Sequence, residues 1–332
     1  MLIRMLKGLL GSGQRPAPAV DPGAAGLLSR LDALCESLRK GDDARAADIA
    51  AATLTPASKN PLALGALARS GGLDVAMRCY TEISSARIDR QFAARAWEEL
   101  AYCHSLRGNL DQSVRAFEEA LRLDHGAGAE LGAFNDLYHR GLAVTQTWNS
   151  PRRRRRFFQL VGLVEQCAEL EGECAECGCW RGLSSFLICS TLQRRDALFN
   201  GSGYHIFDSF EGLSEPTPED RGTGQASMFS ASLDEVRRNL ARFPNITFHP
   251  GWIPESFAGL PERRYRFVHV DVDLFEPTNG AIQYFAPRLV SGGVLVCDDF
   301  DWPGARKAIE DYCAAKGISF STTDSNQAVI RA

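Results

Sequence analysis

The sequence predicts an α/β protein in which a doubly wound, mostly parallel sheet follows an all-α region. Three observations support this fold class. After Gly172, short β-rich apolar segments alternate with helical segments, which is typical of βαβ units with right-handed crossovers. Before about Asp124, the chain is Ala-rich, helical in periodicity and internally repetitive. Aspartates directly follow two of the apolar segments, at Asp271 and Asp298, and open α/β sheets bind ligands at the carboxyl ends of their strands.

The composition is that of a soluble globular protein. Its 332 residues suffice for two domains, and 45% hydrophobic with 23% charged residues argues against wholesale disorder. A net charge of −4 gives no reason to expect nucleic acid as a partner. The ten cysteines lack the dense spacing of a secreted disulfide scaffold, so we expect reduced thiols and a cytoplasmic location.

The first residues are apolar, but Arg4 and Lys7 interrupt them. A signal peptide needs an uninterrupted apolar core, and a transmembrane helix needs about 20 apolar residues, so neither is predicted. Residues 11–26 are rich in Gly, Pro and Ala. We therefore expect a flexible leader over residues 1–26 and no membrane partner. A short amphipathic helix on a membrane surface is the alternative.

An internal repeat organises the helical region. Residues 71–80 share their register with residues 108–117, and a weaker third copy starts at Gly41. Large and small residues around the second copy resemble a tetratricopeptide repeat (TPR), with His104 in place of its usual aromatic residue. The residues that carry this resemblance are Trp97, Leu100, Ala101, Gly108, Phe117 and Ala120.

Helical hairpins of this kind bury their faces only by stacking on their neighbours. We therefore predict a TPR-like repeat domain over residues 27–130, which binds a protein partner or a second copy of the chain. The alternative is a helical cap docked on the catalytic domain. Residues 131–156 are expected to connect the two domains or to form a lid.

Five arginines occupy positions 152–156. Apolar residues at positions 157, 160, 161 and 164 predict that a helix with one buried stripe follows them. The arginines are then expected at the exposed start of that helix, where they are solvated or reach an anionic ligand in a nearby crevice. A nucleic-acid surface is the alternative for a basic run beside aromatic residues.

The catalytic domain is expected to occupy residues 157–332 around one sheet. The predicted strands are residues 174–177, 204–207, 246–249, 267–270 and 294–297. The predicted helices lie near residues 184–193, 232–242, 277–288 and 303–315. At the C-terminus, residues 318–323 and 327–331 predict a hairpin at the sheet edge.

The first candidate site follows the first predicted strand. Gly178 and Gly182 permit a tight turn and a close approach of the backbone to a ligand, and the next helix presents free N–H groups to an anion. The spacing lacks the middle glycine of the dinucleotide fingerprint, which disfavours an NAD-dependent enzyme. Cys174, Cys177 and Cys179 contain a lone Cys-x2-Cys without a second pair at ligand spacing, so strand-end packing is favoured over zinc.

Two further positions are candidates for contacts with a nucleoside. Asp208 ends the second predicted strand, where an acid accepts hydrogen bonds from ribose hydroxyls. The alternative is a loop or helix cap, because Asp-Ser pairs cap readily. Trp252 follows the third predicted strand, where it stacks on a base or covers the sheet edge.

The acids at the next two strand ends predict a metal site. Asp271, Asp298 and Asp299 supply the hard oxygen ligands that Mg²⁺ prefers. A hydroxyl bound to the metal loses its proton more readily, and a neighbouring carboxylate can accept that proton. Asp273 lies two residues after Asp271 and faces the same way if the strand continues, with an undetermined role. Helix N-capping is the alternative, but it accounts for Asp301 better than it accounts for three converging acids.

Six motifs in this order resemble the macrocin O-methyltransferase family. They are Glu-Cys-Gly-Cys-Trp-Arg-Gly (176–182), Phe-Asp-Ser-Phe-Glu-Gly-Leu (207–213), Ser-Leu-Asp-Glu-Val-Arg-Arg-Asn-Leu (232–240), Pro-Gly-Trp (250–252), Val-Asp-Val-Asp-Leu-Phe (270–275) and Asp-Asp-Phe-Asp-Trp-Pro-Gly (298–304). The resemblance starts near Thr147 and implies a Rossmann-like class I methyltransferase fold, with a seven-stranded, mostly parallel sheet whose last strand is antiparallel. It also implies S-adenosylmethionine and Mg²⁺ as cofactors and a sugar hydroxyl as the methyl acceptor.

The resemblance assigns residues to roles. Asp271, Asp298 and Asp299 fall where the family binds metal, and Asp271 is the expected general base. Leu183 departs from the family's usual second glycine. The expected cofactor-binding residues are Glu176, Gly178, Trp180, Arg181, Gly182, Ser184, Ser185, Asp208, Ser209 and Trp252.

We therefore predict a Mg²⁺-dependent O-methyltransferase whose acceptor is a hydroxyl of a sugar, a glycan or a glycosylated natural product. The alternative is a TPR-type interaction protein with a ligand-binding but non-catalytic methyltransferase-like domain. The intact acids argue against this alternative, because a binding domain has little reason to keep several costly carboxylates.

Overall fold

The computed structural model describes residues 22–54, 60–123, 134–149, 151–323 and 325–332. The chain forms two compact units that divide between Ala96 and Trp97. The division falls inside segment 27–130, whose TPR-like character stays a prediction. Most of the predicted leader lies outside the described residues.

In the described part of the first unit, the chain forms four helices and the start of a fifth. They are α1 (Pro22–Lys40), α2 (Asp43–Thr53), α3 (Asn60–Ser70), α4 (Leu73–Ser85) and α5 (Arg90–Leu106). Helix α1 packs against α2, α3 and α4. Helix α1 begins at Pro22, within the segment predicted as a leader. Proline favours the first position of a helix, because its ring holds φ near the helical value. Gly41 and Gly71, which the repeat aligns, follow helices with φ of 70° and 84°, a conformation that favours glycine.

Among the described residues, the second unit begins with the rest of α5, followed by three more helices before the sheet. These are α6 (Leu110–Leu123), α7 (Phe134–Thr145) and α8 (Pro151–Cys167). The Ser113 hydroxyl donates to the Ala101 carbonyl at 2.8 Å and joins α6 to α5. The segment predicted as a connection or lid, 131–156, thus holds α7 and the first turns of α8.

The second unit is built around a seven-stranded sheet. Its strands are β1 (Glu173–Cys177), β2 (Tyr204–Asp208), β3 (Thr247–Pro250), β4 (Tyr265–Val270), β5 (Leu289–Cys297), β6 (Ser321–Thr322) and β7 (Ala328–Arg331). The strand order is β3-β2-β1-β4-β5-β7-β6, with β1 to β5 parallel and β7 antiparallel to both of its neighbours. The predicted seven-stranded sheet with an antiparallel last strand is confirmed.

Helices cover both faces of this sheet. They are α9 (Leu183–Arg195), α10 (Leu233–Asn239), α11 (Phe275–Phe285) and α12 (Pro303–Lys316). Successive strand residues point to opposite faces. Accordingly, Phe267 packs in the core with α8 and α9, whereas Val268 packs in the core with α11 and α12. Because helices cover both faces, successive strand residues are buried on one side or the other. The strands are therefore continuous apolar runs in the sequence.

The parallel strands end at one level. In register, Cys177 pairs with Phe207 on one side and with Val270 on the other, and Val270 pairs with Cys297. The loops that follow these strands therefore meet at one edge of the sheet. Within the described ranges, no helix is long and apolar enough to cross a membrane.

Candidate functional site

A cavity of about 250 Å³ opens at the carboxyl edge of the sheet. The loops after all five parallel strands line it, together with the chain that leads into α8 and with α8 itself. Its lining residues are Trp148, Arg153, Arg156, Gly178, Trp180, Phe207, Asp208, Ser209, Gly212, Leu213, Ser214, Met228, Phe229, Gly251, Trp252, Ile253, Asp271, Val272, Asp273, Pro277, Asp299 and Trp302.

The β1 loop passes very close to the β4 loop at Gly178. Gly178 has φ of 78°, and a Cβ atom there would lie 1.9 Å from the Asp271 carbonyl oxygen. Only glycine allows this approach. The next residues turn sharply, with Trp180 at φ of 45°, which is rare for a bulky side chain. Backbone strain of this kind concentrates at functional sites.

Asp208, at the end of β2, anchors this turn. Its carboxylate accepts hydrogen bonds from the backbone N–H groups of Cys179 at 2.7 Å and Trp180 at 3.3 Å, and from that of Phe210 at 2.7 Å. Burial raises the pKa of Asp208 despite these donors. Asp208 lines the cavity, as do Ser209 and Trp252. The ribose contact predicted for Asp208 is compatible with this position, and the loop anchor is a second role that the structure adds.

Five of the ten expected cofactor residues do not line the cavity. Glu176 is fully buried beneath the β1 loop, where it accepts from the hydroxyls of Ser185 and Tyr204, the latter at 2.9 Å, and contacts His269 Nδ1 at 2.9 Å. Its position in β1 turns its side chain toward α9, because strand residues alternate between faces. Glu176 and Ser185 therefore support the loop from below.

The other three lie beside or behind the loop. Arg181 turns away and binds the Glu235 carboxylate and the Gln146 carbonyl, both at 2.6 Å. Gly182 begins α9 with φ of 88° and packs near Leu240. Ser184 is buried in α9. Their contact with a ligand stays a prediction from the motif, and none of the three lines the cavity.

The predicted acids converge in two overlapping groups. In the first group, one carboxylate oxygen from each of Asp271, Asp273 and Asp299 lies within 4.8 Å of the other two. In the second group, one possible ligand atom from each of His269, Asp271 and Asp298 lies within the same distance of the others. Asp271 belongs to both groups. Asp273 and Asp299 have φ of 61° and 54°, so both acids sit in left-handed turns beside the cavity.

The predicted metal ligands take different positions. Asp271 and Asp299 line the cavity, whereas the Asp298 side chain is fully buried behind it. Asp298 Oδ1 accepts from Gln327 Nε2 at 2.6 Å, and its Oδ2 lies 3.5 Å from His269 Nε2. Asp273, whose role the sequence left undetermined, lines the cavity beside Asp271.

The acids strongly perturb one another. Burial and the charges of Asp298 and Asp299 raise the pKa of Asp271 well above its usual range, and burial with neighbouring acids does the same to the pKa of Asp273. Burial opposes ionisation of Asp298 as well, but Arg156 and His269 hold the pKa of Asp298 below its usual value. Burial would lower the pKa of His269, yet Asp298 and Glu176 raise it to about 10.

These charges decide whether a cation fits. Four carboxylates, at positions 271, 273, 298 and 299, share this cluster, and the Arg156 guanidinium is a permanent cation in contact with two of them. Like-charged buried carboxylates cannot all ionise without compensation. A divalent cation among oxygen ligands would supply that compensation, so the residues fit Mg²⁺.

The arginine run is not the solvated helix start that the sequence suggested. Its described side chains divide among three environments: Arg153 and Arg156 line the cavity, Arg154 is fully buried and Arg155 is exposed. Helical periodicity explains the division, because residues three apart share a face. The run in the sequence indicated arginines near a crevice, but it could not show which of them line the cavity.

Aromatic rings form one wall of the cavity. Trp180 makes edge contacts with Trp148 at 4.9 Å and with Phe229 at 5.6 Å between ring centroids. The Arg153 guanidinium lies 4.8 Å from the Trp148 ring. This wall brings together the β1 loop, the chain before α8 and the long β2–α10 loop, and only Trp180 was expected there from the sequence.

Asp220 connects the β2–α10 loop to the start of α11, on the side of the cavity where the acids lie. This buried carboxylate accepts from the backbone N–H of Thr217 at 2.7 Å and from that of Phe275, at the start of α11, at 2.8 Å. Gly304 at the start of α12 packs directly on it. No sequence motif marks Asp220, because its partner Phe275 lies 55 residues away in the chain.

Known proteins share similarity with the part of the chain that contains the sheet. A family model described as Macrocin-O-methyltransferase (TylF) matches residues 143–329. The chain is 30% identical over 182 residues to the 8-demethyl-8-(2,3-dimethoxy-alpha-L-rhamnosyl)-tetracenomycin-C 4′-O-methyltransferase of Streptomyces olivaceus, covering 48% of this chain and 69% of that protein. It is 27% identical over 175 residues to the mycinamicin III 3″-O-methyltransferase of Micromonospora griseorubida, covering 47% and 68%. The crystal structure of the calicheamicin methyltransferase CalS11 matches with a TM-score of 0.48 at 18% identity, covering 63% and 93%, which adds nothing to the family match.

Proposed function

Because the match over residues 143–329 spans more than half of its 332 residues, this chain belongs to the macrocin O-methyltransferase family, and we propose that it methylates a sugar hydroxyl. Family membership makes it an enzyme of methyltransferase type. The donor in this proposal is S-adenosylmethionine, and the acceptor is a sugar, a glycan or a glycosylated natural product. The names of the two relatives, both O-methyltransferases, support an oxygen as the acceptor atom.

One observation carries the proposal. Three acids, Asp271, Asp273 and Asp299, line the same cavity as the glycine turn of the β1 loop. A donor held at that turn would therefore lie beside the carboxylates that bind the acceptor. Holding two reactants in one geometry supplies much of the rate of a bimolecular transfer.

The donor site follows from the cavity lining. Gly178 allows the backbone to approach the methionine part, and Asp208 with Ser209 lies where ribose hydroxyls would donate to oxygens. Trp252 is 40% exposed and offers a ring face to the adenine. In the proposal, Glu176, Arg181, Gly182, Ser184 and Ser185 hold this site in shape rather than touch the donor.

The acceptor site is the acidic cluster. Asp271 and Asp299 from the cavity, and Asp298 from behind it, would hold Mg²⁺, which lowers the pKa of an acceptor hydroxyl when bound. Asp271 is proposed as the general base, because it lines the cavity beside the other acids, where a bound acceptor hydroxyl would lie within its reach. The aromatic wall of Trp148, Trp180 and Phe229 excludes water from the path between donor and acceptor.

Calorimetry with S-adenosylmethionine, with and without Mg²⁺, tests this proposal. We expect micromolar-range binding of the donor and a loss of affinity in the Asp208→Ala variant, with metal binding unchanged. If S-adenosylmethionine bound neither with nor without Mg²⁺, the proposal would be wrong. Turnover of an identified glycoside that is undiminished in Asp271→Asn would remove only the base assignment, which then passes to Asp273.

The helical segment 27–130 is proposed to bind a protein partner or a second copy of the chain, in the cytoplasm. Pairs of helices that follow left-handed glycines such as Gly41 and Gly71 support the repeat interpretation. Light scattering on the full chain over a hundredfold concentration range tests self-association. A constant monomer mass would leave only a heterologous partner.

A further inference from the structure

Arg156 lies inside the acidic cluster. Its side chain is only 15% exposed, and its Nε atom lies 3.3 Å from Asp298 Oδ2 while its Nη1 atom donates to Asp299 Oδ1 at 3.3 Å. It also lines the cavity. One guanidinium therefore bridges two of the three acids proposed as metal ligands.

The charge of this side chain is permanent. A guanidinium keeps its proton at any physiological pH, and it is the cation best suited to a buried pair with carboxylates. Burial of a guanidinium without compensation carries a large desolvation penalty, and the ion pairs with Asp298 and Asp299 offset it. In the same way, the guanidinium charge offsets the repulsion between the two adjacent carboxylates.

We propose that Arg156 is a resident counter-cation that holds Asp298 and Asp299 in place when no metal is bound and weakens the affinity of the cluster for a divalent cation. The inference rests on the proposed function, because it takes the cluster to be a cation site. Without Arg156, the cluster loses the positive charge that contacts Asp298 and Asp299, and its net charge becomes more negative by one. A divalent ion should then bind more tightly, roughly tenfold or more, since each extra charge within a few ångströms counts heavily at a partly buried site.

The test compares Mn²⁺ binding, followed by electron paramagnetic resonance, in the full-length protein and in Arg156→Gln. Glutamine keeps part of the stem and a hydrogen-bond donor but has no charge. Arg155→Gln is the matched control, because it removes the same charge from the same helix at an exposed position. We expect Mn²⁺ to bind at least tenfold more tightly to Arg156→Gln, within about twofold of wild type to Arg155→Gln, and near wild type to Arg156→Lys.

A gain of affinity distinguishes this role from a structural one, because a damaged site would bind metal less well. Equal or weaker binding by Arg156→Gln, with wild-type binding intact, would overturn the inference and leave the metal site standing. If no protein bound Mn²⁺, both the metal site and the inference would fall. Should Arg156→Gln unfold in chelator, recovery of its melting transition on adding Mn²⁺ supports the inference, and failure to recover contradicts it.

Discussion

Replacing Gly178 with alanine should damage both the stability and the catalysis of this protein. The substitution puts a Cβ atom on a backbone with φ of 78°, which costs about 1–2 kcal/mol for an L-residue. That atom would lie 1.9 Å from the Asp271 carbonyl oxygen, so the β1 and β4 loops must separate by more than an ångström to restore ordinary contact. Forced displacement of packed backbone adds about 1–3 kcal/mol.

The two costs together predict a loss of about 2–5 kcal/mol in the free energy of unfolding. Separation of the loops also moves the donor turn away from the acids, and a misplacement of about 1 Å can lower turnover by about a hundredfold. Calorimetric unfolding and titration with S-adenosylmethionine measure the two effects. Gly317→Ala is the matched control, because Gly317 has φ of 64° at the end of α12 with nothing within 4 Å of its added Cβ.

The control should lose only the backbone cost, about 1–2 kcal/mol, and should bind the donor like the wild type. If Gly178→Ala lost no more stability than Gly317→Ala and bound S-adenosylmethionine within about twofold of wild type, the close approach of the two loops would not be what positions the site.

Two further predictions concern buried polar groups. Asp220→Ala should lower the free energy of unfolding by about 2–4 kcal/mol, because the backbone N–H groups of Thr217 and Phe275 lose their acceptor. Hydrogen exchange should then speed up in residues 209–231, and unchanged exchange there would contradict the anchoring role. His139 is buried, and burial lowers its pKa to about 4, so its imidazole is neutral in the folded protein. The part of the free energy of unfolding that depends on neutral His139 is fully present above about pH 6.5. It is lost as the pH falls toward 4, and the loss at pH 5 is about 2 kcal/mol. His139→Phe should remove that part of the pH dependence between pH 7.5 and 5 in calorimetric melting, and an unchanged slope would count against it.

The alternation of strands and helices was readable from the sequence because it depends on local patterns. Runs such as residues 267–270 are continuously apolar, since strands covered on both faces bury every residue. Parallel order then follows from the intervening helices, and it places the residues after each strand at one edge. For this reason the sequence located the cavity edge by Asp208 and Asp271 before any contact was known.

The direction of each side chain could not be predicted from local sequence patterns. Glu176 and Gly178 belong to one motif, yet one lies beneath the loop and the other beside the cavity. Likewise, Asp298 and Asp299 are neighbours, but a left-handed turn at Asp299, with φ of 54°, separates their directions. Such a turn by a non-glycine residue has no reliable sequence signal.

The sequence by itself determined the fold class, the order of the elements and the acids at the strand ends, because periodicity, glycine positions and strand chemistry are local properties. Only the tertiary structure decided which groups share the cavity. It placed Arg156 against Asp298 and Asp299, from a part of the chain more than a hundred residues away, and it fixed the balance of charge there. Electrostatic balance depends on distance in space, which local sequence patterns do not contain.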